Sequence, residues 1–197
     1  MNQTSLAMRF FNAAIVSVAL VASGCTSVQM SSERNVGIAV DHKIGSTAVY
    51  WDSSQKVQIS IAKLALNYKP DIEAEERLEA EARAQALVAL FRNGAGLHLS
   101  EALSRDGMAL VDLKASPKTI IYVTPVQVST FIAKPPQTDL LVSVAAVDVA
   151  TRSVLWRASF NVGLSMLDAM VVKSANDDTL KSFAESVRSS LKRERFY

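Results

Sequence analysis

The sequence predicts an α+β fold, a mixed or antiparallel sheet with two main helices packed on one face. Three observations lead there. Two stretches repeat apolar residues at helical spacing, and the block between them alternates at strand spacing. Seven Gly and five Pro in 197 residues leave little material for a long linker, so most of the chain belongs to packed elements. With 49% apolar and 20% charged positions, the composition is that of a globular protein and excludes a disordered or collagen-like one. The 21 basic and 19 acidic residues are intermixed, so the chain lacks the electrostatic footprint of a nucleic-acid binder and no nucleic-acid partner is expected.

The first element is a leader. Residues 10–22 (FFNAAIVSVALVA) form an uncharged, mainly apolar run preceded by Arg9. A bilayer span needs roughly 20 apolar residues, so this run reads as the core of a signal peptide covering residues 1–24. Met8-Arg9 would make a more usual beginning than Met1. Val21-Ala22-Ser23-Gly24-Cys25-Thr26 resembles the lipobox of bacterial lipoproteins, in which small residues precede a cysteine that is acylated and becomes the first mature residue. Cys25 is the sole cysteine, which excludes an intramolecular disulfide. The resemblance implies lipidation of Cys25, palmitate among its acyl chains, and a membrane hold through that residue. Because Thr26 rather than Asp follows, it also implies the outer membrane, with the body facing the periplasm. The competing reading is ordinary secretion with Cys25 left as a free thiol.

Residues 25–35 are small and polar, suited to a lipidated flexible tether, which leaves 36–197 as a single periplasmic α+β domain. Strands are expected over 36–40 (VGIAV) and 56–66, where Val57, Ile59 and Ile61 alternate with polar neighbours, and 47–51 (TAVYW) is either a strand or an aromatic loop. Pro70-Asp71 opens the first helix, with Glu73, Glu75 and Glu76 at its dipole-favoured end. Ala80, Ala84, Leu87, Val88 and Phe91 share its inner face, and Asn93-Gly94 supplies a stop. A short helical piece over 97–103, a turn at Arg105-Asp106-Gly107 and a strand over 108–113 follow.

The β block continues with a long strand over 119–131, where Pro125 requires a bulge, a break or an edge position. Residues 139–148 and 153–162 then form a hairpin, with Val154, Trp156, Ala158, Phe160 and Val162 on one face. Residues 163–174 fit either strand or loop. Asn176-Asp177-Asp178 is expected to cap the last helix, whose inner stripe is Leu180, Phe183, Ala184, Val187 and Leu191.

The order of these elements, with Asp148, Thr151 and Trp156 in the hairpin, resembles small periplasmic lipoprotein domains related to the curli secretion lipoprotein and to the N-terminal domain of the Tol translocation protein. Arg152 stands where Gly is usual in that pattern, and Leu155 intervenes before Trp156. No functional residue beyond Cys25 is carried over.

No catalytic constellation emerges, so the sequence predicts no catalytic residues, no cofactor and no metal. His42 and His98 read as loop or helix-end residues, Gly94-Ala95-Gly96 as a helix stop, and Glu73, Glu75, Glu76, Glu79 and Glu81 as a solvated helix face interrupted by Arg77 and Arg83. Tyr50-Trp51 with Tyr122 and Phe131 read as core or lipid-proximal packing, an aromatic binding surface being the alternative, and the basic end Lys192-Arg193-Glu194-Arg195 suits the last helix turn. The expected function is a non-enzymatic, outer-membrane-anchored lipoprotein, an accessory subunit of an envelope secretion, transport or surface-assembly system with a protein partner in the cell envelope. The alternative is a periplasmic binding module for a lipid, glycan or peptidoglycan fragment.

Overall fold

The computed structural model describes residues 29–34, 43–63, 74–132, 137–164 and 169–197. The expected leader, Cys25, the strand expected over 36–40, His42 and the Pro70-Asp71 helix opening lie outside the described residues. Strands β1 (Gln29–Arg34), β2 (Thr47–Trp51) and β3 (Gln58–Lys63) precede helix α1 (Ala74–Arg105). A 3-10 turn (Leu113–Ala115), strands β4 (Thr119–Ile132), β5 (Gln137–Asp148) and β6 (Val154–Leu164), and helix α2 (Ala169–Arg193) complete the order. The class is α+β.

The sheet runs β1-β6-β5-β4-β2, with β3 also on β4. The β1, β6, β5 and β4 pairings are antiparallel, whereas β2 and β3 both run parallel to β4. They lie end to end along it: β2 pairs with residues 119–123 and β3 with 127–132. Pro125 sits between the two paired stretches, opposite the interruption, where a residue without an N–H removes no strand bond on that side. On the β5 side the register shifts between Pro125 and Gln127.

That bulge changes which residues face the helices. Ile121 and Val123 are buried before it and Val128 and Thr130 after it, so the inward set changes from odd to even numbers. A second register shift places Ala146 opposite Trp156 and Val147 opposite Val154. Leu155 is left as the additional residue and is buried, while Val154 is only half-buried, correcting its expected place on the inner face. At the hairpin turn Asp148 Oδ1 accepts from the Thr151 backbone N–H (2.7 Å) and hydroxyl (2.8 Å). Arg152 takes a positive φ of 58°, the conformation for which Gly is usual at this position.

Both helices cover one sheet face and share one core with it. Trp51, Phe91, Phe183 and Phe160 form a chain of edge-on ring contacts with centroids 5.1–5.8 Å apart. Phe91, Phe160 and Phe183 are fully buried. Each such side chain contributes about 1.5–3 kcal/mol by leaving water. The stripes expected on both helices are buried throughout.

Four local expectations are corrected, and one alternative left open at Pro125 is decided. Gln29–Arg34, assigned to the tether, is a strand paired with β6. Asn93-Gly94 does not stop α1, which continues unbroken to Arg105 and absorbs the separate piece expected over 97–103. A Cβ on Gly94 would come within 2.5 Å of Leu180 Cδ1, and one on Gly96 within 3.3 Å of Trp51 Nε1. These glycines admit α2 and Trp51, and tertiary packing outweighs their poor helix propensity. The helix stop is Gly107, with φ 82°.

Residues 108–113 are not a strand. Leu110 makes one isolated bridge with Thr47, and Asp112 then caps the 3-10 turn. Helix α2 begins at Ala169, upstream of Asn176-Asp177-Asp178, which therefore lie inside it. Finally, β4 has neighbours on both sides, so it is an inner strand for most of its length and not a free edge.

Candidate functional site

The Cys25 region lies outside the described residues, yet β1 limits how it can act. Only residues 26–28 separate Cys25 from Gln29, the first residue of the sheet. Four Cα steps span at most about 14 Å. A lipid on Cys25 would therefore hold this sheet edge close to the bilayer. Among the described residues β1 has a partner strand on one side only, β6.

The helix pair carries two polar clusters. In the first, His98 comes from within α1, about two turns before its C-terminal end and not at a helix end as expected, and its side chain is 12% exposed. Its Nε2 lies 2.7 Å from Asp177 Oδ1, its Nδ1 lies 3.8 Å from Glu101, and Lys181 Nζ lies 2.6 Å from Asp177 Oδ2. The Lys181 and His98 hydrogen bonds hold the Asp177 carboxyl below the usual carboxylate range. This arrangement accounts for Asp177 as an inter-helix partner, not an N-cap.

In the second cluster, Arg188 of α2 donates to Asp106 through Nε (3.0 Å) and Nη2 (3.1 Å) and to Glu185 through Nη1 (2.5 Å). Lys192 also reaches Asp106 at 3.2 Å, and Arg105 pairs with Glu185. Arg188 and Lys192 hold Asp106 below the usual carboxylate range. Burial pushes Glu185 the other way, but Arg188 and Arg105 outweigh it and its carboxyl is also lowered. Arg193 lies 3.7 Å from Glu194. The basic helix end is thus engaged within the fold: Lys192 pins the turn after α1, and the Tyr197 hydroxyl donates to the Arg188 carbonyl at 2.9 Å. Burial pushes the Tyr197 phenol up to about 12.

The remaining expected residues do not converge. Glu75 and Glu79 are exposed and Glu79 pairs with Arg83, while Glu73 lies outside the described residues. Among the described residues no three His, Cys, Asp or Glu side chains could hold a metal ion, and no helix is long and apolar enough to cross a membrane. The aromatic group is divided: Tyr50 meets Tyr122 edge-on at 5.4 Å, while Trp51 enters the core against Phe91.

A groove of about 340 Å³ opens between α1 and the chain leading into β3. Ala84, Val88, Ala89, Val57 and Ile59 give it apolar walls, and Gln55, Gln85, Lys56 and Arg92 add polar groups. Arg92 Nε is buried and has no hydrogen-bond partner among the described residues. Such a group costs about 1–3 kcal/mol, more when charged. Asp52 stands near enough to feel the Arg92 charge, but its carboxylate accepts from the Ser54 N–H (2.9 Å) and hydroxyl (2.6 Å), which hold its pKa down. Sequence reasoning missed Lys56 and Arg92, because the segments that bring them together are separated by a strand and much of a helix.

No protein-family model and no curated protein matches the chain. Among solved structures it is similar to the PelC dodecamer from Paraburkholderia phytofirmans, at 14% identity and TM-score 0.40, covering 87% of this chain and 99% of that one. It is also similar to protein XCC0632 from Xanthomonas campestris, of family DUF330, at 9% identity and TM-score 0.36, covering 82% and 90%. Lipoprotein GNA1162 from Neisseria meningitidis matches at 12% identity and TM-score 0.35, covering 76% and 99%. Likenesses at this level establish no residue-by-residue correspondence and no shared task.

Proposed function

We propose that the protein is an acyl-anchored, non-enzymatic subunit of the bacterial cell envelope, held at the periplasmic face of the outer membrane and docking to another envelope protein. The observation that carries this reading is the sole cysteine, Cys25, directly after Ala22-Ser23-Gly24 at the end of an uncharged apolar run. Acylation there gives a stable membrane hold when more than one chain is attached. The docking part is supported by β1, a few residues downstream, whose one strand partner among the described residues is β6.

The test is palmitate labelling of the wild type and Cys25→Ser, with crosslinked envelopes analysed alongside. Label on the wild type alone, together with a reproducible crosslinked envelope protein, is the expected result. Equal labelling of both proteins overturns the anchor, and recovery of the chain without a partner under several crosslinkers overturns the accessory role.

A further inference from the structure

We infer that the groove between α1 and the chain entering β3 binds an acidic sugar, with Arg92 and Lys56 taking its carboxylate. Four observations converge on this ligand class. First, the lining contains two cations and no carboxylate, and neither Lys56 nor Arg92 forms an ion pair among the described residues. Asp52 partly offsets Arg92, and with Lys56 the groove keeps an excess of positive charge. Second, Arg92 Nε is buried without a hydrogen-bond partner among the described residues. A guanidinium presents its N–H groups as a fork that fits a carboxylate bidentately, and Arg92 lines the groove, so a carboxylate there meets a matching donor set.

Third, Gln55 and Gln85 line the same groove. Each amide both donates and accepts, the chemistry needed for neighbouring hydroxyls and not for a bare ion. Fourth, Val57, Val88, Ala84 and Ala89 provide an apolar wall suited to the C–H face of a pyranose ring. The volume of about 340 Å³ falls at the small end of ligand pockets, a size for a short saccharide and not for a pair of acyl chains. This inference does not depend on the anchor, since none of its residues belongs to the N-terminal segment.

The experiment uses the purified full chain in detergent and isothermal titration calorimetry. The probes are digalacturonate, the same disaccharide with both carboxylates reduced to hydroxymethyl groups, and inorganic phosphate. Wild type is expected to bind digalacturonate at least tenfold more tightly than either control. Arg92→Gln should weaken it tenfold or more and Lys56→Gln several-fold, with circular-dichroism spectra unchanged. Lys56 is exposed, so its variant still reports if Arg92→Gln fails to fold.

Three results overturn the inference. They are no heat with digalacturonate at millimolar concentration, affinity within twofold of wild type in the Lys56 or the folded Arg92 variant, or equal affinity for a control. Equal affinity for phosphate identifies a bare-anion site, and equal affinity for the reduced sugar identifies binding without the carboxylate.

Discussion

Gly94→Ala separates local propensity from tertiary packing, because the two make opposite predictions at this position. In an isolated helix the change is worth about 1 kcal/mol in favour of Ala. In the folded chain the new Cβ would come within 2.5 Å of Leu180 Cδ1, on a side chain that is only 4% exposed and packed in the core. Forcing that side chain aside costs about 1–3 kcal/mol. The net effect is therefore a destabilisation of about 0–2 kcal/mol.

Leu180→Ala removes the obstacle at its own cost of about 2–5 kcal/mol, and in that background Gly94→Ala should stabilise by about 1 kcal/mol. The double-mutant cycle then has a coupling of about 1–3 kcal/mol. Urea unfolding followed by circular dichroism measures all four proteins. If Gly94→Ala changes stability equally in both backgrounds, to within about 0.5 kcal/mol, Gly94 does not serve as a close-approach position and the account of the unbroken α1 fails.

Val128 is fully buried on the inner face of β4, so Val128→Lys should cost about 4 kcal/mol or more and lower the melting temperature sharply; an unchanged melt would return β4 to a free edge. Asp106 and Glu185 have carboxyls lowered in the folded state. The folded protein therefore binds fewer protons than the unfolded chain as pH falls, and the stability they contribute above about pH 4 is lost as pH drops through their folded values. Arg188→Gln should raise the acid midpoint of unfolding, with the difference from wild type shrinking at the lowest pH; an identical acid limb in the two proteins would mean that Arg188 does not set those carboxyls. Gly107 has φ 82° with open space around its Cβ position, so Gly107→Ala should cost about 1 kcal/mol and Gly107→Asn less, as read by urea midpoints. Equal midpoints for all three would remove the left-handed stop.

What the sequence determined by itself was what repeats locally. The stripes Leu87, Val88, Phe91 and Leu180, Phe183, Val187 follow from a helical period, and the hairpin follows from alternation around Asp148 and Thr151, because burial of one face imposes that period on neighbouring residues. The lipobox-like run ending at Cys25 is likewise contiguous. Of the candidate sites, only the clusters on one element were legible; His98 and Asp177, or Lys56 and Arg92, are unremarkable until the chain brings them together.

Tertiary structure alone decided the rest. Gly94 reads as a stop until Leu180 is placed against it, and Asp177 reads as a cap until His98 faces it. Residues 29–34 look like a tether until β6 supplies their hydrogen bonds. Pro125 leaves bulge, break and edge open until β5 pairs on one side while β2 and β3 divide the other. In each case the deciding energy comes from a partner distant in sequence: a close approach, an ion pair or a strand neighbour has no period for local patterning to display.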